Sequence, residues 1–206
     1  MNSTIWKWEM LGIPFIVLIG SGLHFAFEWS GFWPPVAIVA SVNESVWEHL
    51  KMAFWPSFAW AFIVYGAVRG SAATFGSAMG FGLLVAPISI IVIFYGYTAA
   101  LGRNVLALDI ATFIVAIILG QILSAALLSS RMGAAFMRSA GILLFLSQVV
   151  AFSTLTYFPA PLSLFEDSRT GLRGIPSVKR PQPGQTAAEA TPNDATDGVG
   201  ANHKEP

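Results

Sequence analysis

Five long apolar stretches, separated by short polar breaks, occupy most of the first 158 residues of the chain. They run over residues 5–29, 47–68, 74–100, 105–128 and 134–157. A helix that crosses a membrane needs about 20 consecutive, mainly apolar residues, and each stretch is long enough. Only 11% of the residues are charged, whereas about 25% is usual in a water-soluble domain. The sequence therefore predicts an all-α fold, a polytopic bundle of about five transmembrane helices.

The residues that flank the stretches are those expected where a helix leaves a membrane. Trp6, Trp8, Trp29, Trp33 and Trp55 lie near stretch ends, as interfacial aromatic side chains do. The first stretch is too long for a signal peptide and lacks a small-residue cleavage site, so it is predicted to stay as an anchor. The predicted location is the cell (cytoplasmic) membrane, crossed several times, with the lipid bilayer as partner.

The charge balance and the cysteine content limit which partners and cofactors the sequence can indicate. The 11 basic and 11 acidic residues cancel, so no basic face for nucleic acid is indicated. The chain has no cysteine, which excludes disulfides and thiolate metal sites. Lysine and arginine in the short loops place the N-terminus in the cytoplasm, whereas the basic residues near the C-terminus favour the opposite orientation. Whether the protein forms homo-oligomers stays open.

Composition divides the chain into three regions. Residues 1–158 form the predicted transmembrane domain. Residues 159–176 still carry apolar side chains, among them Phe165, and are predicted to be ordered and to pack on that domain. Residues 177–206 are rich in Pro, Gly, Ala, Thr and Asp and have little to bury, so they are predicted to form a disordered tail.

A polar region around the first break holds two of the three histidines. His24 and Glu28 lie four residues apart, as do Glu44 and Glu48, so each pair shares a helix face. His49 follows directly. Two histidines with nearby carboxylates suit zinc or another divalent metal, and a further carboxylate could act as general base on metal-bound water. The metal hypothesis takes His24, Glu28 and His49 as ligands and Glu48 as the catalytic base.

The same residues also have structural interpretations. The segment Ser41 to Glu44, S-V-N-E, resembles a capping box that starts the second helix. Glu48 can pair with Lys51 at i,i+3 and then needs no metal. Asp109 opens the fourth stretch, where a helix N-terminus favours a carboxylate.

Polar and small residues deep in the stretches are predicted to serve packing. Gln121 and Gln148 are expected to bridge helices. Gly76 and Gly80 have the small-x-x-x-small spacing that lets two helices approach closely. No charge lies in the middle of a stretch, which counts against an ion relay across the bilayer.

Topology predicts that most of the polar residues share one membrane face, because the first loop, the third loop and the C-terminal region of a five-helix bundle lie on the same side. Besides the hypothesised ligands and base, the residues on this face comprise the supporting residues Asn43, Glu44, Asp109 and Asp167, and also Tyr95, Tyr97, Arg103, Asn104 and Glu166. The opposite face holds little more than Lys7, Glu9 and a few arginines.

Three segments together resemble a family of bacterial multi-pass integral membrane proteins known only as a domain of unknown function. They are LGIPFIVLIGSGLHFAFEWSG, VNESVWEHLKMAFWP and YFPAPLSLFEDSRTGLRGI, and the resemblance covers roughly residues 5–176. The NES-x-WEHLK block is the most distinctive part. The resemblance implies a membrane protein without an established activity, and it supplies no catalytic residue.

The sequence thus predicts an integral membrane protein of unknown activity with a polar His/Glu cluster on one face. One alternative is a metal-dependent membrane-embedded hydrolase that acts through this cluster, with zinc the best-matched metal. Others are a small carrier, and an interaction or structural protein whose polar motif fixes helix packing. Whether the chain is an enzyme is not decided by the sequence.

Overall fold

The computed structural model describes residues 3–68, 72–130 and 135–176. These ranges form helices and turns without a β-strand, which confirms the predicted all-α fold class. The helices are α1 (Ser3–Trp29), α2 (Val46–Val68), α3 (Ala72–Ser77), α4 (Leu83–Leu101), α5 (Leu106–Ser129) and α6 (Ala135–Thr154). A π-helical segment, Ala78–Gly82, joins α3 to α4, so the described helices form five rods that match the five apolar stretches. The predicted disordered tail lies outside the described residues.

Three of the rods are long and apolar enough to cross a membrane, namely Ser3–Trp29, Phe75–Leu101 and Leu106–Ser129. α2 is not among them, and the described apolar part of α6, Arg138–Thr154, is shorter. By length and composition, the described residues therefore support three of the five predicted spans.

Local sequence determines where the helices on the polar face end and begin. α4 ends at Gly102, which has the left-handed φ of 67° and whose N–H bonds the carbonyl of Thr98. Glycine adopts this conformation without steric cost, so it is a common helix stop. α5 then begins after the extended Val105, and Asp109 lies in its first turn, where the helix dipole favours a carboxylate.

An aromatic stack forms the centre of the larger core. Trp47 and Phe54 of α2 both lie against Phe152 of α6, with ring centroids 4.7 and 4.6 Å from it. Phe165, which follows α6 by eleven residues, packs on Trp47 at 4.8 Å and is itself buried. Stacked and offset aromatic pairs stabilise beyond the area that they bury. The segment after α6 therefore contributes to the same core as the helices.

The π-helical segment and α3 approach α6 closely at glycines. A Cβ at Gly80 would overlap the backbone of Gly141, and a Cβ at Gly141 would lie 2.6 Å from the Cα of Ser77. A Cβ at Gly76 would come within 2.9 Å of Ile142. The Gly76/Gly80 spacing, predicted to serve packing, thus lies at a close approach of α3 and the π-helical segment to α6.

Glu9 is a buried carboxylate that links α1 to α5. Gln121 donates from Nε2 to Glu9 Oε2 at 2.8 Å, and Ser124 donates from Oγ to Glu9 Oε1 at 2.9 Å. Gln148 similarly donates to the carbonyl of Gly80 at 3.0 Å, which ties α6 to the π-helical segment. Both glutamines therefore bridge helices, as predicted.

Candidate functional site

A fully buried ion pair fixes the start of α2. Lys51 is 0% exposed and Glu48 is 1% exposed, and the Lys51 Nζ lies 2.6 Å from Glu48 Oε2. The predicted i,i+3 pair is therefore confirmed. Lys51 Nζ also donates to the carbonyls of Ala37 and Ala40, at 2.7 and 2.9 Å, and to Thr156 Oγ1 at 2.8 Å. The ammonium thereby holds the loop before α2 and the turn after α6 together.

The carboxylate of Glu48 has a partner for each oxygen. Thr156 donates from Oγ1 to Oε1 at 2.8 Å, and the backbone N–H of Val42 donates to Oε2 at 3.1 Å. A general base needs an oxygen that can reach a reacting proton. Glu48 is enclosed by these partners, so its observed surroundings match the structural interpretation and not the hypothesised base.

The capping residue of α2 differs from the predicted one. The N–H of Glu48 bonds Ser45 Oγ at 3.4 Å, so the S-x-x-E pattern that starts the helix is Ser45 to Glu48. The predicted box began at Ser41, which instead donates to the carbonyl of Asn43 at 2.9 Å. The two patterns are adjacent in sequence, and the helix begins within the second, at Val46.

Asp167 attaches the segment after α6 to the loop before α2. Its Oδ2 accepts the backbone N–H of Glu44 at 3.0 Å, and its Oδ1 accepts those of Arg169 and Thr170 at 2.7 and 2.9 Å. Burial alone would raise the pKa of Asp167, but the hydrogen bonds from Glu44, Thr170 and Arg169 outweigh it and hold the pKa below its usual value. Asn43, the other supporting residue of this loop, donates to the carbonyl of Gly174 at 2.9 Å.

Asp167→Asn is expected to destabilise the protein by about 1–3 kcal/mol at neutral pH, because an amide cannot replace a carboxylate that accepts three N–H groups. An unfolded aspartate has a pKa of about 3.9 and the folded one is lower, so this stabilisation is complete above about pH 4 and disappears as the pH falls through the folded pKa. Melting temperatures of the two proteins in detergent should differ more at pH 7 than at pH 3. An equal difference at both pH values would contradict the assignment.

Two imidazoles and one carboxylate meet beside this attachment. His24 Nε2 lies 3.7 Å from Glu44 Oε1, and His49 Nε2 lies 3.8 Å from Glu44 Oε2. His49 Nδ1 is 2.8 Å from the carbonyl of Ser45, which can only accept, so the proton of a neutral His49 is on Nδ1. The Nε2 of His49 is then a free acceptor. Sequence spacing predicted the two histidines but not the carboxylate that they share.

A cleft of about 980 Å³ opens at these three residues, between α1, α2, α4, α5 and the segment after α6. Its polar mouth is formed by residues at helix ends and in loops, among them His24, Glu44, His49, Asn104, Asp109, Asp167 and Arg169. Its inner walls are apolar and lie deeper along the same helices, among them Val17, Met52, Ile90, Phe113 and Ile114. Val17 precedes His24 by seven residues, which is about 10 Å along a helix. The cleft therefore passes from polar to apolar with depth.

Several predicted site residues lie outside the cleft. Glu28 is exposed at the end of α1, and neither Glu28 nor Glu48 lines the cleft. Asp109 does line it and accepts the hydroxyl of Tyr97. Within the described ranges, no group of three or more histidine, aspartate and glutamate side chains is arranged to hold a metal ion. Of the hypothesised zinc ligands, His24 and His49 have ring centroids 5.7 Å apart, whereas Glu28 does not line the cleft with them.

These features define a class of protein: its described residues are all-helical, with long apolar helices and a cleft with a polar mouth between them. The chain belongs to DUF6512, a family of unknown function, whose model matches residues 1–175. No curated protein and no solved structure matches the chain. The predicted resemblance to a family of unknown function is confirmed, and the family model covers the described part of the chain up to residue 175.

Proposed function

We propose that this is a multi-pass integral membrane protein whose cleft binds an amphiphilic molecule. The outer faces of the long helices support the first part of the proposal, because large apolar side chains such as Leu18, Val92 and Leu143 stand there exposed. Contiguous exposed apolar surface is rare in water-soluble monomers and is expected against lipid. The three rods long and apolar enough to span a bilayer agree with it.

The polarity gradient of the cleft is the single observation that carries the binding proposal. Ligand sites are usually apolar cavities with a few placed polar groups, and volumes of about 300–1,000 Å³ are typical. At about 980 Å³ the cleft is large enough for a lipid-like molecule. Its apolar walls suit a hydrocarbon chain, and the histidines and carboxylates at its mouth suit a polar head group. A lipid bound in the cleft would therefore have its hydrocarbon chain against the apolar walls and its head group at the polar mouth.

The second candidate function is a hydrolase that acts on the bound amphiphile. Unlike the hydrolase of the metal hypothesis, it would use the imidazole of His49 as its base. His49 is oriented through Nδ1 by the carbonyl of Ser45, and its Nε2 faces the cleft beside Glu44. An imidazole fixed in this way is suited to general-base chemistry. Glu28 and Glu48 have no part in this version, because both lie outside the cleft.

A cleft-filling variant tests the binding proposal. Ile110 lines the cleft and is 52% exposed, so Ile110→Trp should occupy the cavity at little cost in stability. Ile122, on the same helix and 41% exposed, lies outside the cleft, and Ile122→Trp is the matched control. Native mass spectrometry of protein extracted from membranes should show one bound amphiphile on the wild type and on Ile122→Trp, and loss of most of it from Ile110→Trp.

Two results would contradict the proposal. One is a wild-type protein that carries detergent alone and gains no thermal stability from any added lipid. The other is an Ile110→Trp protein that retains the amphiphile as fully as the control. Breakdown of the bound amphiphile in the wild type but not in His49→Ala would favour the hydrolase over a carrier or binding protein.

A further inference from the structure

We infer that the cleft selects an amphiphile whose head group is a primary ammonium. This inference rests on the proposed function and deepens it, because it names the chemistry of the ligand that the mouth recognises. It is carried by the hydrogen-bonding state of the four carboxylates that line the cleft and of His49.

Three of the four carboxylates that line the cleft have partners within the protein. Asp167 accepts backbone N–H groups through both oxygens. Glu166 is paired with the guanidinium of Arg173. Asp109 accepts the hydroxyl of Tyr97. Glu44 is the fourth, and its side chain lies beyond hydrogen-bond distance of the groups nearest to it.

A free acceptor, His49 Nε2, lies beside the Glu44 carboxylate with space between the two. His49 Nε2 carries no proton when the ring is neutral, because Nδ1 donates to Ser45. It faces Glu44 Oε2 across 3.8 Å, and His24 Nε2 faces Oε1 across 3.7 Å. Charge-assisted N–H···O hydrogen bonds are about 2.7–2.9 Å long. A nitrogen placed beside these atoms could reach two acceptors at once, and an ammonium carries three donors for this purpose.

The charge at the mouth has the sign that an ammonium needs. The guanidinium of Arg169 is the cation nearest to Glu44 in the described residues, at 3.9 Å, but its side chain is 77% exposed. Exposed ion pairs contribute little because water screens them. A carboxylate or phosphate head group would be repelled by the charge of Glu44, whereas an ammonium would neutralise it. A hydroxyl could donate a hydrogen bond but would bring no positive charge to the carboxylate.

The test compares head groups on one hydrocarbon chain. Dodecylamine, dodecanol and dodecanoate are titrated separately into the purified wild-type protein in the same detergent, and dissociation constants are measured by isothermal titration calorimetry. Dodecylammonium should bind at least about tenfold more tightly than dodecanoate, as expected for one charge-assisted hydrogen bond. Glu44→Gln should lose most of that preference. Glu166→Gln removes a carboxylate that already has a partner at the same mouth, and it should keep the preference.

The outcomes separate the two proposals. If none of the three compounds binds, both the amphiphile site and its head-group preference are wrong. If dodecanol or dodecanoate binds as tightly as dodecylammonium, the ammonium inference is overturned while the amphiphile site stands. Equal loss of preference in Glu44→Gln and Glu166→Gln would also overturn it, because a general acidic surface would then explain the preference. The comparison of the three compounds on the wild-type protein tests the ammonium inference even if a variant fails to fold.

Discussion

Lys51→Ala is expected to destabilise the folded protein by about 3–5 kcal/mol, the usual cost of removing one partner from a buried ion pair. The variant leaves the Glu48 carboxylate inside the protein without its cation. It also removes the donor for the carbonyls of Ala37 and Ala40 in the loop before α2. Chemical denaturation in detergent micelles, followed by tryptophan fluorescence, would measure the loss.

Two further variants test whether the loss of stability in Lys51→Ala comes from the unpaired buried charge. Lys7→Ala removes an exposed lysine from α1 and should change stability by less than about 0.5 kcal/mol. The double variant Glu48→Leu/Lys51→Met removes both charges and should recover part of the stability, because isosteric apolar pairs often replace buried ion pairs well. Full recovery is not expected, since the carbonyls of Ala37 and Ala40 would still lack a donor. A Lys51→Ala protein within about 1 kcal/mol of the wild type would contradict the assigned role.

This prediction distinguishes a structural role of Glu48 and Lys51 from a role in catalysis or ligand binding. Glu48 and Lys51 belong to the most distinctive sequence block, and there the structure shows a closed network and not an open site. Glu48→Gln should therefore lower stability while ligand binding in the cleft persists in the folded fraction. Glu44 and His49 of the same block line the cleft, together with His24 of α1. One sequence block thus supplies both a structural anchor and two of the three candidate binding groups.

The local sequence pattern was enough to predict the positions of the helices and the contacts between residues close in sequence. The apolar stretches gave helix positions to within a few residues, because each stretch is long and its ends carry Gly, Pro or Arg. The Glu48–Lys51 pair followed from i,i+3 geometry alone. Topology also grouped Asp109 and Asp167 with the histidines, and the cleft shows them together. These inferences need only the period of a helix and the number of crossings.

Contacts between distant segments could not be predicted, because nothing local marks them. Thr156 completes the Glu48 network across 108 positions, and Gln121 reaches Glu9 across 112. The shared helix face with His24 predicts Glu28 as a ligand, yet Glu28 is exposed at the helix end, whereas Glu44 meets His24 from the following loop. The signal that could have singled out Glu9 is a lone carboxylate within an apolar stretch, whose burial requires polar partners elsewhere.

Truncation after Phe158 is expected to have the second large effect, whereas truncation after Pro176 should leave stability unchanged. The shorter chain lacks Phe165, which is buried against Trp47. It also lacks Asp167, which accepts the N–H of Glu44. Loss of a buried phenylalanine alone costs about 3–5 kcal/mol, so the truncation should cost at least that much. The residues removed by truncation after Pro176 are rich in polar residues and proline, with little to bury.

Phe165→Ala in the full chain is the matched point variant, because it empties the aromatic stack and keeps the segment that follows α6. It should lose about 3–5 kcal/mol and should still bind an amphiphile, since Phe165 does not line the cleft. The chain that ends at Phe158 should lose binding as well, because Asp167 and Arg169 form part of the mouth. Melting temperature and amphiphile content, measured on the same preparations, distinguish the two losses. Equal melting temperatures for both truncations would show that residues 159–176 do not support the helical domain.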